Sequence, residues 1–190
     1  QDNAYAVNAR HPDNNTNMNH STVILNGATL QARVDDPSKN ALSLYAKNAA
    51  KIIGQSGKYH LEGDIVALSD TEGDAYIDIS FEPDSTIAGG SYYSNGSEVN
   101  FDMKGTTWDI NQYSKVKNLT FNDENSVINF VADDYTLLEI DTLAGNGGLF
   151  NLRTSIAEGK GDYIIITEGS GSHKLGVKDS GVEITKPEET

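Results

Sequence analysis

The chain has 190 residues, 28 acidic against 14 basic, for a formal net charge of −14, and it contains no cysteine. That charge works against binding to nucleic acid or an anionic membrane, where attraction to phosphate dominates affinity. Without cysteine there is no disulfide framework, thiol nucleophile or zinc–thiolate site.

Hydrophobic residues make up 37% and are spread evenly, which fits many short strands that each bury one face. A solvated acidic surface is the preferred reading of the charge, and basic partners are the functional alternative. No stretch of about 18 apolar residues exists, so no transmembrane helix is expected. The start, "QDNAYAVNARHPDNN", lacks an apolar signal region, which predicts a chain that begins inside a longer protein or just after processing. For an exported β-protein the lack of cysteine is informative, since an early bridge would block a chain that must cross a membrane unfolded.

In chain order, residues 1–20 are rich in Asn and Asp without periodicity and read as a polar N-terminal segment or a partial first coil. Residues 21–96 carry recurring β-type runs, among them "TVIL", "DIVAL" and "AYIDISF". Period-two alternation is clear in Tyr76-Ile77-Asp78-Ile79-Ser80-Phe81. The stretch Ala41 to Ile53 fits a helix and two strands about equally well, and its β neighbours favour the strands. Residues 97–190 continue the pattern, with apolar centres at Trp108, Leu119, Ile128, Leu138, Phe150, Ile164 and Leu175.

Two or three such strands make a coil of roughly 20 to 30 residues, the period of a solenoid, although the spacing also suits a sandwich or barrel. Asn beside strands (Asn26, Asn100, Asn118, Asn122, Asn129) can turn corners and stack in ladders. Hairpin signals are few: Asn26-Gly27, Asn95-Gly96 and Asn146-Gly147. The fold class expected is therefore all-β, a right-handed parallel β-helix.

From about Ser97 the chain resembles the C-terminal passenger region of type V autotransporters, of the pertactin and AIDA-like adhesin kind. The carrying elements come in order: Trp108, then Ser114-Lys115-Val116 leading to Leu119-Thr120, then Ser126-Val127-Ile128-Asn129-Phe130. Leu143-Ala144-Gly145-Asn146-Gly147-Gly148-Leu149-Phe150, Gly161-Asp162-Tyr163-Ile164 and Gly171-Ser172-His173-Lys174-Leu175 follow. Six elements in one order are more specific than any one, while the N-terminal half fits only by composition and strand spacing. The resemblance implies an autochaperone segment that caps the β-helix and nucleates passenger folding during secretion. No barrel follows "KPEET", which predicts a secreted passenger fragment or a chain trimmed before the linker helix.

A parallel solenoid exposes a strand edge at each end, so a cap is expected. Short strands ending in glycines can fold back as a hairpin over that edge. The expected cap residues are Gly145, Gly147, Gly148, Phe150, Gly161, Asp162, Ile164, His173 and Leu175, with Leu152, Ile166 and Val177 completing the hairpin core. Asp162 is expected to accept backbone N–H bonds at its turn.

Catalytic patterns are weak. His11, His20, His60 and His173 lack metal-ligand spacing, and His173 reads as packed or hydrogen-bonded. Asp70, Glu72, Asp74 and Asp78 superficially resemble a calcium loop, but the sixth position is Ala75 and no Glu stands at the twelfth. "DSG" at Asp179 to Gly181 lacks a nucleophile context. The pairs Asp35-Asp36 and Asp133-Asp134 are ordinary strand-flanking acids in so acidic a chain. Tyr92 and Tyr93, near Trp108, form a tentative binding surface, against the alternative that they stack in the solenoid.

No enzyme activity, cofactor or metal is expected. The function expected is a non-enzymatic adhesin or virulence factor, exposed on a bacterial surface or secreted through the periplasm. It would bind a host protein, receptor or glycan, or self-associate. The alternatives are the stalk of an autotransporter whose enzymatic part lies elsewhere, and a carbohydrate-active β-helix.

Overall fold

The computed structural model describes residues 3–10, 21–35, 40–70, 73–179 and 181. Among them eighteen strands, β1–β18, wind into a β-solenoid of about six turns, with no helix. The first sheet stacks β1 (Ala4–Arg10), β4 (Ala41–Lys47), β7 (Asp64–Leu68) and β10 (Ser91–Tyr93). The second stacks β2 (Thr22–Leu25), β5 (Lys51–Gly57), β8 (Tyr76–Phe81), β11 (Glu98–Met103) and β13 (Ser114–Phe121). The third stacks β3 (Ala28–Gln31), β6 (Tyr59–Glu62), β9 (Ser85–Ala88), β12 (Thr106–Ile110) and β14 (Val127–Phe130). The long β15 (Leu137–Ser155) runs from the second sheet into the third, and β17 (Tyr163–Gly169) and β18 (Ser172–Asp179) lie on its two halves.

All of these pairings are parallel; the antiparallel pairing among named strands is β15 with the two-residue β16 (Lys160–Gly161). Register steps such as Thr22 to Lys51, Tyr76 to Glu98 and Leu137 to Tyr163 fall within the expected coil length. Residues 4–10 pair with β4, so this part of the N-terminal segment is a solenoid strand. The expected boundary at 96/97 falls inside one turn, between β10 and β11.

Alternation explains the core. In β8 the inward Ile77, Ile79 and Phe81 are buried while Tyr76, Asp78 and Ser80 face out. A single cluster runs from Ala9 to Phe150, and each fully buried large side chain contributes about 1.5–3 kcal/mol. Tyr59, Phe81, Phe101 and Trp108 meet edge to face at 5.7, 5.5 and 5.3 Å, the geometry ring quadrupoles prefer. The Trp108 indole donates to the Gly89 carbonyl at 2.9 Å, which satisfies its one polar atom.

The stretch Ala41 to Ile53 is two strands, not a helix. Asn48 and Ala49, both at φ 58, turn the corner between them. Parallel neighbours on β1, β7, β2 and β8 take the backbone hydrogen bonds that a helix would have kept to itself.

Strand entries share one device. The amide at an entry donates to a buried serine hydroxyl of the next turn: Tyr59 to Ser85 at 3.1 Å, Ala75 to Ser97 at 3.0 Å, Ser91 to Ser114 at 3.2 Å and Thr106 to Ser126 at 3.3 Å. Each hydroxyl accepts from a buried N–H at the start of a strand. Of the asparagines expected to stack, Asn100, Asn118 and Asn129 do so on the outer faces, joined by Asn151. Asn118 donates to Asn100 at 2.7 Å and Asn100 to Asp78 at 2.6 Å; Asn151 donates to Asn129 at 2.9 Å and Asn129 to Asp109 at 2.8 Å.

The expected C-terminal hairpin is not what the chain forms. β17 pairs with Leu137–Leu143 and β18 with Asn146–Thr154, both parallel, as a further solenoid turn. Gly145 bends β15 from the second sheet into the third instead of reversing the chain, at φ 84 with the Phe121 carbonyl stacked against the place a Cβ would take. Gly171, at φ 90, repeats the bend one turn later, stacked on the Gly145 carbonyl. Corners stack so closely that only glycine fits.

Candidate functional site: the terminal turns and a tyrosine flank

After β10 the first sheet ends. β13 takes over its edge, with the Ser91 hydroxyl donating to the Lys115 carbonyl at 3.2 Å. The solenoid therefore changes from three sheets to two at β13.

The expected cap residues sit in these two-sheet turns. Phe150 is buried and meets Phe121 edge to face at 5.5 Å. Gly147 and Gly148 lie at φ 90 and 64 beside Asp123 and the Phe121 ring. His173 lies 5.5 Å from Phe121, and its ring nitrogens face the Gly147 and Ser170 carbonyls at 3.1 Å each. Ile164 packs partly buried against the core.

Leu175 points inward in register with Phe150 but is 70% exposed, and Val177 and Ile166 are exposed with it. Among the described residues nothing covers that inward row, so these side chains form the solenoid's open apolar end instead of a cover over it. The reason is topological: a parallel strand extends the stack, whereas only a reversal could close it.

Asp162 accepts from backbone, as expected, but does more. It takes the Thr136 amide at 2.9 Å and the Arg153 amide at 2.8 Å, and a bidentate Arg153 guanidinium at 2.9 Å through both nitrogens. Its side chain is fully buried while that of Arg153 is 30% exposed. Burial pushes its carboxyl upward, but the hydrogen bonds from Arg153 and Thr136 outweigh that and hold it below the usual carboxylate range. Arg153 also donates to the Ala132 and Asp134 carbonyls, tying β14's exit to β15. Gly161 pairs with Thr154 in the short antiparallel ribbon beside it. Arg153 carried no motif of its own; only its register beside Asp162 reveals it.

The tyrosine pair splits, because neighbours on a strand face opposite sides. Tyr93 is buried and donates to Asp141 at 2.7 Å with Lys115 4.7 Å over its ring, so it is not surface. Burial and Asp141 push its phenol well above the ordinary tyrosine value. Tyr92 is exposed, 6.4 Å from Tyr113. Partial burial and Glu139 push the Tyr113 phenol up to about 12. Trp108 belongs to the core.

Among the described residues no group of three or more His, Asp or Glu side chains converges as a metal site. Asp78 is committed to Asn100; His11, His20, Asp36, Glu72 and Ser180 lie outside the described residues. His60, bonded to Thr86 at 2.9 Å, stands three turns of the third sheet from the Asp133-Asp134 pair. No described helix is long and apolar enough to cross a membrane.

The two-sheet turns are also where sequence comparison finds a family match. Residues 116–190 match the Pertactin family model. The match opens inside β13, the strand that follows the end of the first sheet. Together with the solenoid it fits a pertactin-like autotransporter passenger region, secreted or carried on the surface. Neither the curated proteins nor the solved structures contain a significant match.

Proposed function

We propose that the chain is a binding module of an autotransporter passenger, acting without catalysis at a bacterial surface or after release, as an adhesin or virulence factor. Its partner is a host protein, receptor or glycan, or a second copy of itself. The two-sheet turns promote folding of the β-helix during secretion. The observation that carries this reading is the Pertactin match falling on the turns where the solenoid changes cross-section. The solenoid adds a row of outward side chains per turn, which suits an extended binding flank.

The test is labelled chain 1–190 titrated onto epithelial cells by flow cytometry, with unlabelled chain as competitor. Saturable, competed binding is expected; linear, uncompeted signal with no self-association in sedimentation would overturn the adhesin reading. Refolding from urea should slow when residues 137–190 are deleted, and an unchanged rate removes the folding role.

A further inference from the structure

We propose that a groove on the flank of the two-sheet turns docks an extended, Lys- or Arg-bearing segment of a partner protein. This rests on the reading of the chain as a binding module. The groove, about 620 Å³, lies between β15 and the 156–161 loop and is lined by Tyr113, Tyr135, Leu137 and Tyr163. Register pairs Ser114 with Leu138 and Leu137 with Tyr163, so Tyr113, Leu137 and Tyr163 form one column, one per turn. Tyr163 is 64% and Tyr113 42% exposed, and an exposed aromatic column on a folded surface marks a contact site.

Charge selects the partner. Asp134 and Glu158 line the groove, and Glu139 faces the Tyr113 hydroxyl. Of the bases nearby, Lys160 lies 3.6 Å from Glu158, Arg153 is committed to Asp162, and Lys115, in register with Glu139, lies over the Tyr93 ring. The remaining carboxylates and the negative faces of the rings complement cations. The protein already uses that pairing on the same flank: Arg153 lies 5.7 Å from the Tyr135 ring and Lys115 4.7 Å from that of Tyr93. Tyr113 and Tyr163 offer the same faces outward. A net charge of −14 steers a basic segment inward and repels acidic glycans.

The test titrates ¹⁵N-labelled chain 1–190 with a blocked Arg-Ser-Arg-Ser-Arg peptide, with Glu-Ser-Glu-Ser-Glu and maltopentaose as comparators. Saturable amide shifts are expected at Tyr113, Leu137, Gly159 and Tyr163 with the basic peptide alone. The double variant Tyr113→Ser/Tyr163→Ser, which leaves charge unchanged, should weaken binding about tenfold, as loss of two exposed cation–π contacts predicts. Should that variant lose its native spectrum, Asp134→Asn/Glu139→Gln serves instead, with weakening again expected. Shifts scattered over the acidic surface and indifferent to either variant reduce the effect to net charge and overturn the site. Maltopentaose moving the same amides while the peptide does not makes the groove a glycan site and overturns it too. Saturable cell binding without peptide binding sinks only this groove; peptide binding without cell binding sinks only the adhesin reading.

Discussion

Asp162 accepts four hydrogen bonds in the terminal turns, and its chemistry predicts a pH signature. The carboxylate is buried and holds two backbone amides and the Arg153 guanidinium. Its folded pKa lies below the ordinary value, so its stabilisation is full above the unfolded pKa of about 3.9. That stabilisation is lost as pH falls through the lower folded pKa. Asp162→Asn should cost roughly 2 kcal/mol at neutral pH, the worth of charge-assisted hydrogen bonds. In urea titrations the variant should lose less stability than the parent between pH 5 and 2, so the two curves converge. Parallel curves would show that the pair is not what holds this corner. The aspartate and its taste for backbone N–H groups are legible at "GD" before an apolar run. Arg153 is not, because nine residues separate the partners and a two-residue ribbon brings them together.

Among elements, the asparagine ladders depend on a direction of donation. Each begins on an aspartate, Asp78 or Asp109, that only accepts; each asparagine donates backwards, and the middle rungs Asn100 and Asn129 also accept from the next turn. Asn129→Asp removes the donor to Asp109 and sets two carboxylates face to face. The expected cost is about 2 kcal/mol at pH 7, and it should shrink on acidification, because a proton shared by two facing carboxyls removes their repulsion. A pH-independent difference from the parent in chemical denaturation would mean the rung is solvated instead. Ladder residues could be anticipated from recurring asparagines beside strands. The serines at strand entries could not, since Ser85, Ser97, Ser114 and Ser126 look like any turn serine until the turns are stacked.

Across the whole molecule, the core closes at β15 and opens beyond it. Phe150 is 1% exposed and Leu175, in register with it one turn on, is 70% exposed. Phe150→Ala should therefore cost about 3–5 kcal/mol, while Leu175→Ala should stay within about 0.5 kcal/mol, as at a surface site. Equal losses in equilibrium unfolding would place the terminal turn inside the cooperative core. Amides of β17 and β18 should likewise exchange fastest among the strands, as a solenoid end does when each turn is held by its neighbours alone.

The sequence by itself determined that the protein is all-β, that its strands are short, apolar on one side and turned by Gly and Asn, and that they recur at solenoid spacing. Periodicity and turn chemistry are local properties, so they survive without coordinates. Tertiary structure decided what lies between residues a full turn apart. It made Tyr163–Gly169 and Ser172–Asp179 parallel partners of β15, although the same glycines could have closed a hairpin. It sent Tyr93 inward and Tyr92 outward, and brought Tyr113, Leu137 and Tyr163 into one column. A parallel turn pairs each residue with one some twenty positions away, and which glycine bends and which reverses is settled by the strand already lying underneath.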